Sequence, residues 1–535
     1  LKNSSEAKNS WEVSLMTEKV SYQGLSPLTF LERSAFVYPD KTAVVYNEER
    51  YTYAQFSNRV RQLAGALAKV GIQKDDKVAF LVPNIPPMLE AHFGPLRLGA
   101  ILVALNTRLS PRELGYILNH SEAKVLVFDS ELAPVVRGFK DNVPGIKTYV
   151  QVVDIAPKAD DIQGPDYESF IASAGTDDYR VDLGSELDTI AINYTSGTTG
   201  LPKGALHTHN TMTWALITIS TTAEFRYKDR FAIALPMYHV GALVPAMVTV
   251  YIGGTCVMLR QFDPKLMWEV TEQEKLTVNL AVPAMLNFML QVPEFQNYDI
   301  SHLRWIMSGA SPVPASLIET YRDIGIEVHQ VYGITEACGP GTLISPDDAM
   351  AKIGSAGKAF FHTTVKVVNG DGNETEPGEP GELLIKGAHV MKGYWNNPKA
   401  TAETIRDGWL HTGDIALRDE DGFITIHDRV KDMIISGGEN VYPAELENVI
   451  TSHPGVADVA VIGQDSGRWG ESPFAVVVRA DENLTEADVL KHCDGKLARF
   501  KQPKGVGFID EIPRNPTGKP LKRVLRDQFP GPAPE

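Results

Sequence analysis

Tyr194 to Ala205 reads YTSGTTGLPKGA, a run of small hydroxyl residues and glycines ahead of one lysine. Glycines at 197, 200 and 204 let backbone N–H groups come close to an anion, and Thr195, Ser196, Thr198 and Thr199 add hydroxyl donors. Lys203 contributes a positive charge, so the composition is that of a phosphate-holding loop. A Walker-type loop needs Gly, four residues, then Gly-Lys-Ser/Thr. Counting from Gly197, Pro202 stands at the second glycine, and Gly204 stands where Ser or Thr would hold magnesium. The loop expects phosphate, but on another plan. His207 and His209, as HTH, invite a metal reading, yet no further ligand cluster is evident.

Seven more stretches follow in order: LPMYHVGAL from Leu235, SGASPVP from Ser308, VYGITE from Val331, GELLIKGAHVMKGYWNNPKAT from Gly381, GWLHTGD from Gly408, DRVKDMIISGGENVYPAELE from Asp428 and PRNPTGK from Pro513. With the loop, they resemble the adenylate-forming superfamily of acyl-CoA synthetases, peptide-synthetase adenylation domains and luciferases. The resemblance spans roughly residues 25–525.

That resemblance implies two half-reactions. A carboxylate attacks the α-phosphate of ATP, giving an acyl-adenylate and pyrophosphate, and the thiol of CoA then displaces AMP. With no protein nucleophile, catalysis rests on alignment and charge neutralisation. By resemblance, Thr195, Ser196, Gly197, Thr198, Thr199, Gly200 and Lys203 hold the β- and γ-phosphates. Tyr332, with Val331 and Gly333, meets the adenine, Thr335 the α-phosphate, and Glu336 the Mg2+ ion. Gly309, Ala310 and Ser311 flank the purine and the acyl group, and Asp414 accepts from the ribose hydroxyls. Arg429 reaches ribose or phosphate, Lys431 is the hinge, and Lys519 bridges the carboxylate and the α-phosphate. Rotation of the small domain withdraws Lys519 and brings Gly437 and Gly438 to line the pantetheine passage. His239 stands between the carboxylate and thiol approaches.

The acyl pocket is expected around 239–243, 281–286, 309–311 and 333–335, naming His239, Val240, Gly241, Gly309 and Gly333, with Trp214 at its wall. These residues are small or aliphatic, with no Lys or Arg for a second carboxylate, which favours an apolar monocarboxylate. LSPLTFLERSAFVYPDKTAVVY resembles the branch acting on short- and medium-chain fatty acids and benzoate-like acids, so a medium-chain fatty acid is expected. The alternatives are an adenylation enzyme loading a carrier protein and a non-catalytic nucleotide-binding protein. The first usually keeps an Asp where this chain reads MYHVGA, and the second would show decay at Glu336 or Lys519, both of which stand.

Such residues must be carried by elements that the pattern reveals. Phe56, Val60, Leu63, Leu67 and Val70 form one helical face, with Gly71 placed to stop it. KVAFLV, KVLVFD, TIAINY, VNLAV and EVHQV read as strands between helical segments, which argues for largely parallel, doubly wound sheets. After about Lys352, short strands broken by Gly, Pro and Asn suggest an antiparallel, barrel-like section, and an α+β tail begins near Arg429. The expected fold is α/β: a large N-terminal domain of two doubly wound sheets plus a distorted β-barrel, and a small mobile α+β C-terminal domain. The expected boundaries are a loose segment 1–24, an AMP-binding domain 25–429 and a lid 430–535.

Composition limits the rest. There are 51 Lys and Arg against 67 Asp and Glu, a formal charge of −16 that argues against a nucleic-acid partner. Nine Lys/Arg between 496 and 527, against three acids, suit the CoA nucleotide. Residues 231–259 carry no formal charge, but Pro236, Pro245 and the Gly253-Gly254 pair divide them into buried pieces and not a membrane span. Three scattered cysteines and a polar start, Leu1–Lys19, fit a reducing, cytoplasmic setting. A homodimer is expected by family analogy.

Overall fold

A computed structural model describes residues 24–175, 185–195, 202–310, 313–345, 347–429, 432, 434–436, 439–466, 470–494, 496–497, 501–514 and 520–531. The helix expected from Phe56 to Val70 runs Tyr53–Lys69. Thr52 and Gln55 close a capping box at its start, and Gly71 (φ +88°) follows its end.

Among the described residues, four sheets form. In the first, seven strands run in the order Gly393–Tyr394, Lys203–Thr208, Thr189–Thr195, Ile101–Ala104, Lys77–Leu81, Ala123–Asp129, Thr148–Val152. The last five are parallel; Lys203–Thr208 and Gly393–Tyr394 join antiparallel at the edge. The second has nine strands, with Glu327–Tyr332, Trp305–Gly309, Val278–Ala281, Arg230–Ile233, Thr255–Met258 and Thr42–Tyr46 parallel at its centre. Residues from both sheets share one apolar core with the helix Tyr53–Lys69: Val44 and Phe231 from one, Val78 and Val125 from the other.

The pieces of 231–259 are the strand Arg230–Ile233, the helix Val240–Tyr251 and the strand Thr255–Met258, all largely buried. Among the described residues no helix is long and apolar enough to cross a membrane. Thr363–Val368, Gly381–Gly387, Trp409–Arg418, Ile405–Arg406 and Ile424–Arg429 form the antiparallel half-barrel. The C-terminal part has a sheet of Glu439–Val441, Ile434–Ser436, Gly470–Arg479, Val456–Ser466 and Val506–Phe508, with its own apolar core around Leu446, Val461 and Val477. The fold is thus the expected α/β arrangement of a large sheet-rich N-terminal domain with a half-barrel, and a smaller C-terminal domain.

Candidate active site

Strand ends of the two large sheets, together with the half-barrel, surround a cavity of about 610 Å³. Thr195 and Lys203 enter it as the last paired positions of the Thr189–Thr195/Lys203–Thr208 hairpin, where they sit opposite each other. Ser196, Gly197, Thr198, Thr199 and Gly200, which connect them, lie outside the described residues. Gly204 keeps this hairpin closed: a Cβ there would lie 2.5 Å from Ile192 Cγ2. Tyr194, one residue before Thr195, is tied through its hydroxyl to His120 Nδ1 at 2.8 Å.

The second wall comes from two adjacent parallel strands. Trp305–Gly309 delivers Gly309 and Ala310, and Glu327–Tyr332 delivers Val331, Gly333, Thr335 and Glu336. Backbone crowding requires both glycines: a Cβ on Gly309 would meet the Val331 carbonyl oxygen at 2.2 Å, and one on Gly333 the Gly339 oxygen at 1.5 Å. Ala310 holds φ +69°, a left-handed conformation that costs a non-glycine residue about 1 kcal/mol or more. This strained turn faces the cavity, and its next residue, Ser311, lies outside the described residues. Glu336 sits on the short turn Thr335–Ala337, where Tyr394 donates its hydroxyl to Oε1 at 2.8 Å.

Tyr332 and Asp414 stand just behind this wall, whereas their neighbours Val331, Gly333 and Gly413 line the cavity. The Tyr332 ring packs beside Val367, Leu383 and Ala416 of the half-barrel. Its hydroxyl donates to Asp414 Oδ2 at 2.5 Å, and Asp414 is only 4% exposed. Asp414 is also paired in the sheet with Arg429, whose side chain is outside the described residues, as are Lys431, Gly437, Gly438 and Lys519.

Apolar side chains also line the cavity: Ile219, Leu235, Val240, Leu280, Met307 and Phe360. His239 lines it too, set at the N-cap of Val240–Tyr251. Gly241 faces open space, since a Cβ there would meet nothing within 4 Å. Two expectations shift here. From 281–286 only Ala281 and Val282 reach the wall, because Leu286 is fully buried in the neighbouring core. Trp214 is not a lining residue; its ring centroid lies 5.1 Å from that of His362.

Tyr394, Glu382, Arg406 and His411 are among the lining residues that carry no role in the sequence reading. Glu382 accepts from Gly413 N at 3.0 Å and contacts His411 Nδ1 at 2.8 Å, which braces the turn that carries Asp414. All but Arg406 lie inside the quoted motifs, so the stretches were visible but the contacts were not.

His207 is fully buried and its imidazole is pushed down to about 4 by desolvation; His209, also at about 4 for the same reason, pairs with Ser26 Oγ at 2.9 Å. Among the described residues no group of three or more His, Cys, Asp or Glu is arranged to hold a metal. A magnesium ion held jointly by one carboxylate and nucleotide phosphates needs no such group, and Glu336 and Thr195, which both line the cavity, offer suitable hard oxygen donors.

Residues 31–395 match the family model described as AMP-binding enzyme, and 445–519 match the AMP-binding enzyme C-terminal domain. The long-chain-fatty-acid–CoA ligase FadD13 of Mycobacterium tuberculosis is 42% identical over 94% of this chain and 99% of its own length. A feruloyl-CoA synthase of Amycolatopsis sp is 40% identical over 93% of this chain and 98% of its own. The o-succinylbenzoate CoA synthetase of Bacillus subtilis has been solved with its acyl-adenylate intermediate (31% identity, TM-score 0.84, covering 96% of this chain and 100% of that one). It has also been solved with ATP and magnesium ion (32% identity, TM-score 0.83, 93% and 99%).

Proposed function

The chain belongs to the AMP-binding enzyme family, and we propose that it is an ATP-dependent acyl-CoA ligase converting an apolar carboxylic acid, ATP and CoA to acyl-CoA, AMP and pyrophosphate. One observation carries this reading: a single cavity is lined both by Thr195, Lys203 and Glu336 and by the apolar side chains Ile219, Leu235, Val240, Leu280, Met307 and Phe360. The polar groups suit a triphosphate and the apolar ones an acyl chain, so the acid's carboxylate and the α-phosphate can meet within one cavity.

Thr195 and Lys203 hold the terminal phosphates and Asp414 the ribose. Glu336, together with the phosphates, would hold Mg2+, which would supply charge neutralisation on the triphosphate. A carboxylate oxygen attacks the α-phosphorus, and the bond to pyrophosphate breaks. Lys519 stabilises the charge developing there. The C-terminal domain, 430–535, then turns about Lys431 against the large domain, 25–429. Lys519 leaves, and Gly437 and Gly438 admit the pantetheine thiol. Sulfur attacks the acyl carbonyl, AMP departs, and the thiol proton passes to solvent. His239 stands at that approach.

The favoured acid is a medium-chain fatty acid. The segments expected to form the acyl pocket, 239–243, 281–286, 309–311 and 333–335, contain no Lys or Arg to pair a second carboxylate, and desolvating one unpaired charge is costly. The use of ATP and CoA supports a cytoplasmic setting, and family analogy alone supports a homodimer. Pyrophosphate release and CoA-dependent AMP release across a panel of octanoate, palmitate, ferulate, malonate and alanine test the reading. Octanoate is expected to give the highest kcat/KM; malonate or alanine leading the panel would overturn it.

A further inference from the structure

The geometry points to Tyr394 as a positioning residue that holds the metal carboxylate Glu336 and the phosphate lysine Lys203 apart and correctly aimed. This rests on the proposed role of Glu336 as the magnesium ligand. Gly393–Tyr394 is a two-residue strand added to the edge of the phosphate hairpin, with Tyr394 opposite Ala205. Lys392 N donates to Leu206 O at 2.9 Å, and Trp395 N donates to Gly204 O at 2.8 Å, so the backbone is clamped on both sides of the tyrosine. Side chains alternate along a strand, so Ala205 and Lys203 share a face, and Tyr394 lies diagonally across from the lysine. Accordingly the Lys203 ammonium rests 4.6 Å from the Tyr394 ring centroid. The same five-residue stretch grips the acidic side, where Met391 N donates to Glu336 O and the Tyr394 hydroxyl to Glu336 Oε1, both at 2.8 Å.

Lys203, Glu336 and Tyr394 all line one cavity. An ammonium and a carboxylate so placed would attract each other into a direct ion pair, withdrawing both from the ligand. The phenol prevents this by giving each a different partner. Its O–H occupies Oε1 and leaves Oε2 to a divalent cation; its π-face holds the ammonium while leaving its N–H groups for phosphate.

The test uses the full-length protein, Mn2+ as a spectroscopically visible cation and α,β-methylene-ATP as nucleotide. Bound Mn2+ is followed by loss of the free-ion resonance, and metal-free nucleotide affinity is measured in EDTA. Tyr394→Phe keeps the ring and removes the hydroxyl. It is expected to weaken Mn2+ binding to the nucleotide complex by about tenfold, the loss of one hydrogen bond to a charged group, with metal-free nucleotide affinity unchanged. Tyr394→Leu should in addition weaken metal-free nucleotide binding. Glu336→Gln separates the two readings: if it leaves Mn2+ binding intact, the metal role of Glu336 fails and the Tyr394 proposal falls with it. If Glu336→Gln abolishes Mn2+ binding while Tyr394→Phe binds it like wild type, the positioning role alone is overturned. A Tyr394→Phe variant that loses metal-free nucleotide affinity equally would also overturn it, as a general structural defect.

Discussion

Tyr332 donates its hydroxyl to Oδ2 of Asp414 at 2.5 Å, joining the end of a parallel strand to the half-barrel across 82 residues of chain. The phenol thereby holds a nearly buried carboxylate in one orientation beside the cavity. Tyr332→Phe should lower kcat/KM for ATP by about tenfold, the scale of one hydrogen bond to a charged acceptor, while leaving KM for the acid unchanged. Steady-state kinetics with each substrate varied in turn check this, and a loss confined to the acid would contradict the ribose assignment.

Two glycines of the cavity wall should respond oppositely to added bulk. Gly241→Val adds side-chain volume where nothing stands within 4 Å, so the protein should melt as before but favour shorter acids. Gly333→Ala drives a Cβ to 1.5 Å from a backbone oxygen and should destroy the site or the fold. Chain-length profiles and thermal melts of both variants decide the matter.

Lys519→Ala should abolish adenylation while sparing thioester formation from supplied acyl-AMP. Hydroxylamine trapping of the adenylate and direct assay of the second half-reaction separate the two. Equal losses would refute a lysine that serves only the first step.

Glu90 is fully buried, where Arg59 Nε donates at 2.5 Å and Tyr167 OH at 2.6 Å. Burial raises its carboxyl above the usual range despite both partners. Arg59→Met leaves that carboxylate unpaired and should cost about 3–5 kcal/mol in denaturant unfolding. Replacing both, Arg59→Met with Glu90→Leu, should recover most of the loss.

Acid should destabilise the protein through histidines kept neutral by burial. His92 is pushed down to about 3, and His207, His209 and His389 to about 4, against 6.5 in an unfolded chain. Between about pH 4 and 6.5 the unfolded state therefore binds more protons, so stability is present above the unfolded value and falls as pH drops through this window. Glu90, raised by burial, opposes this with a single site. Melting temperature is expected to decline steadily from pH 7 to 5, with proton uptake on unfolding; a flat profile would contradict neutral burial.

The motifs themselves were legible from residue order, because a phosphate loop or a ribose-binding Asp needs particular residue types at close spacing, and local spacing survives in the chain. The helix from Tyr53 and the strands beginning at Lys77, Thr189 and Val278 were legible for a similar reason, since burial of one face or both leaves a periodic apolar pattern. Trp214 illustrates the limit: an aromatic in a helix near a pocket motif has no sequence mark saying which way its ring points, and it turned to His362.

Sequence by itself determined which chemistry the chain carries and the order in which its parts occur. Tertiary structure decided which parts meet: that Thr42–Tyr46 pairs with Thr255–Met258, that Tyr394 joins Lys203 to Glu336, and that Gly241 opens onto empty space while Gly333 abuts a carbonyl. The physical reason is that strand pairing and side-chain contact depend on distances between residues remote in the chain. A two-residue strand such as Gly393–Tyr394 is too short to leave any periodicity that would announce its partner.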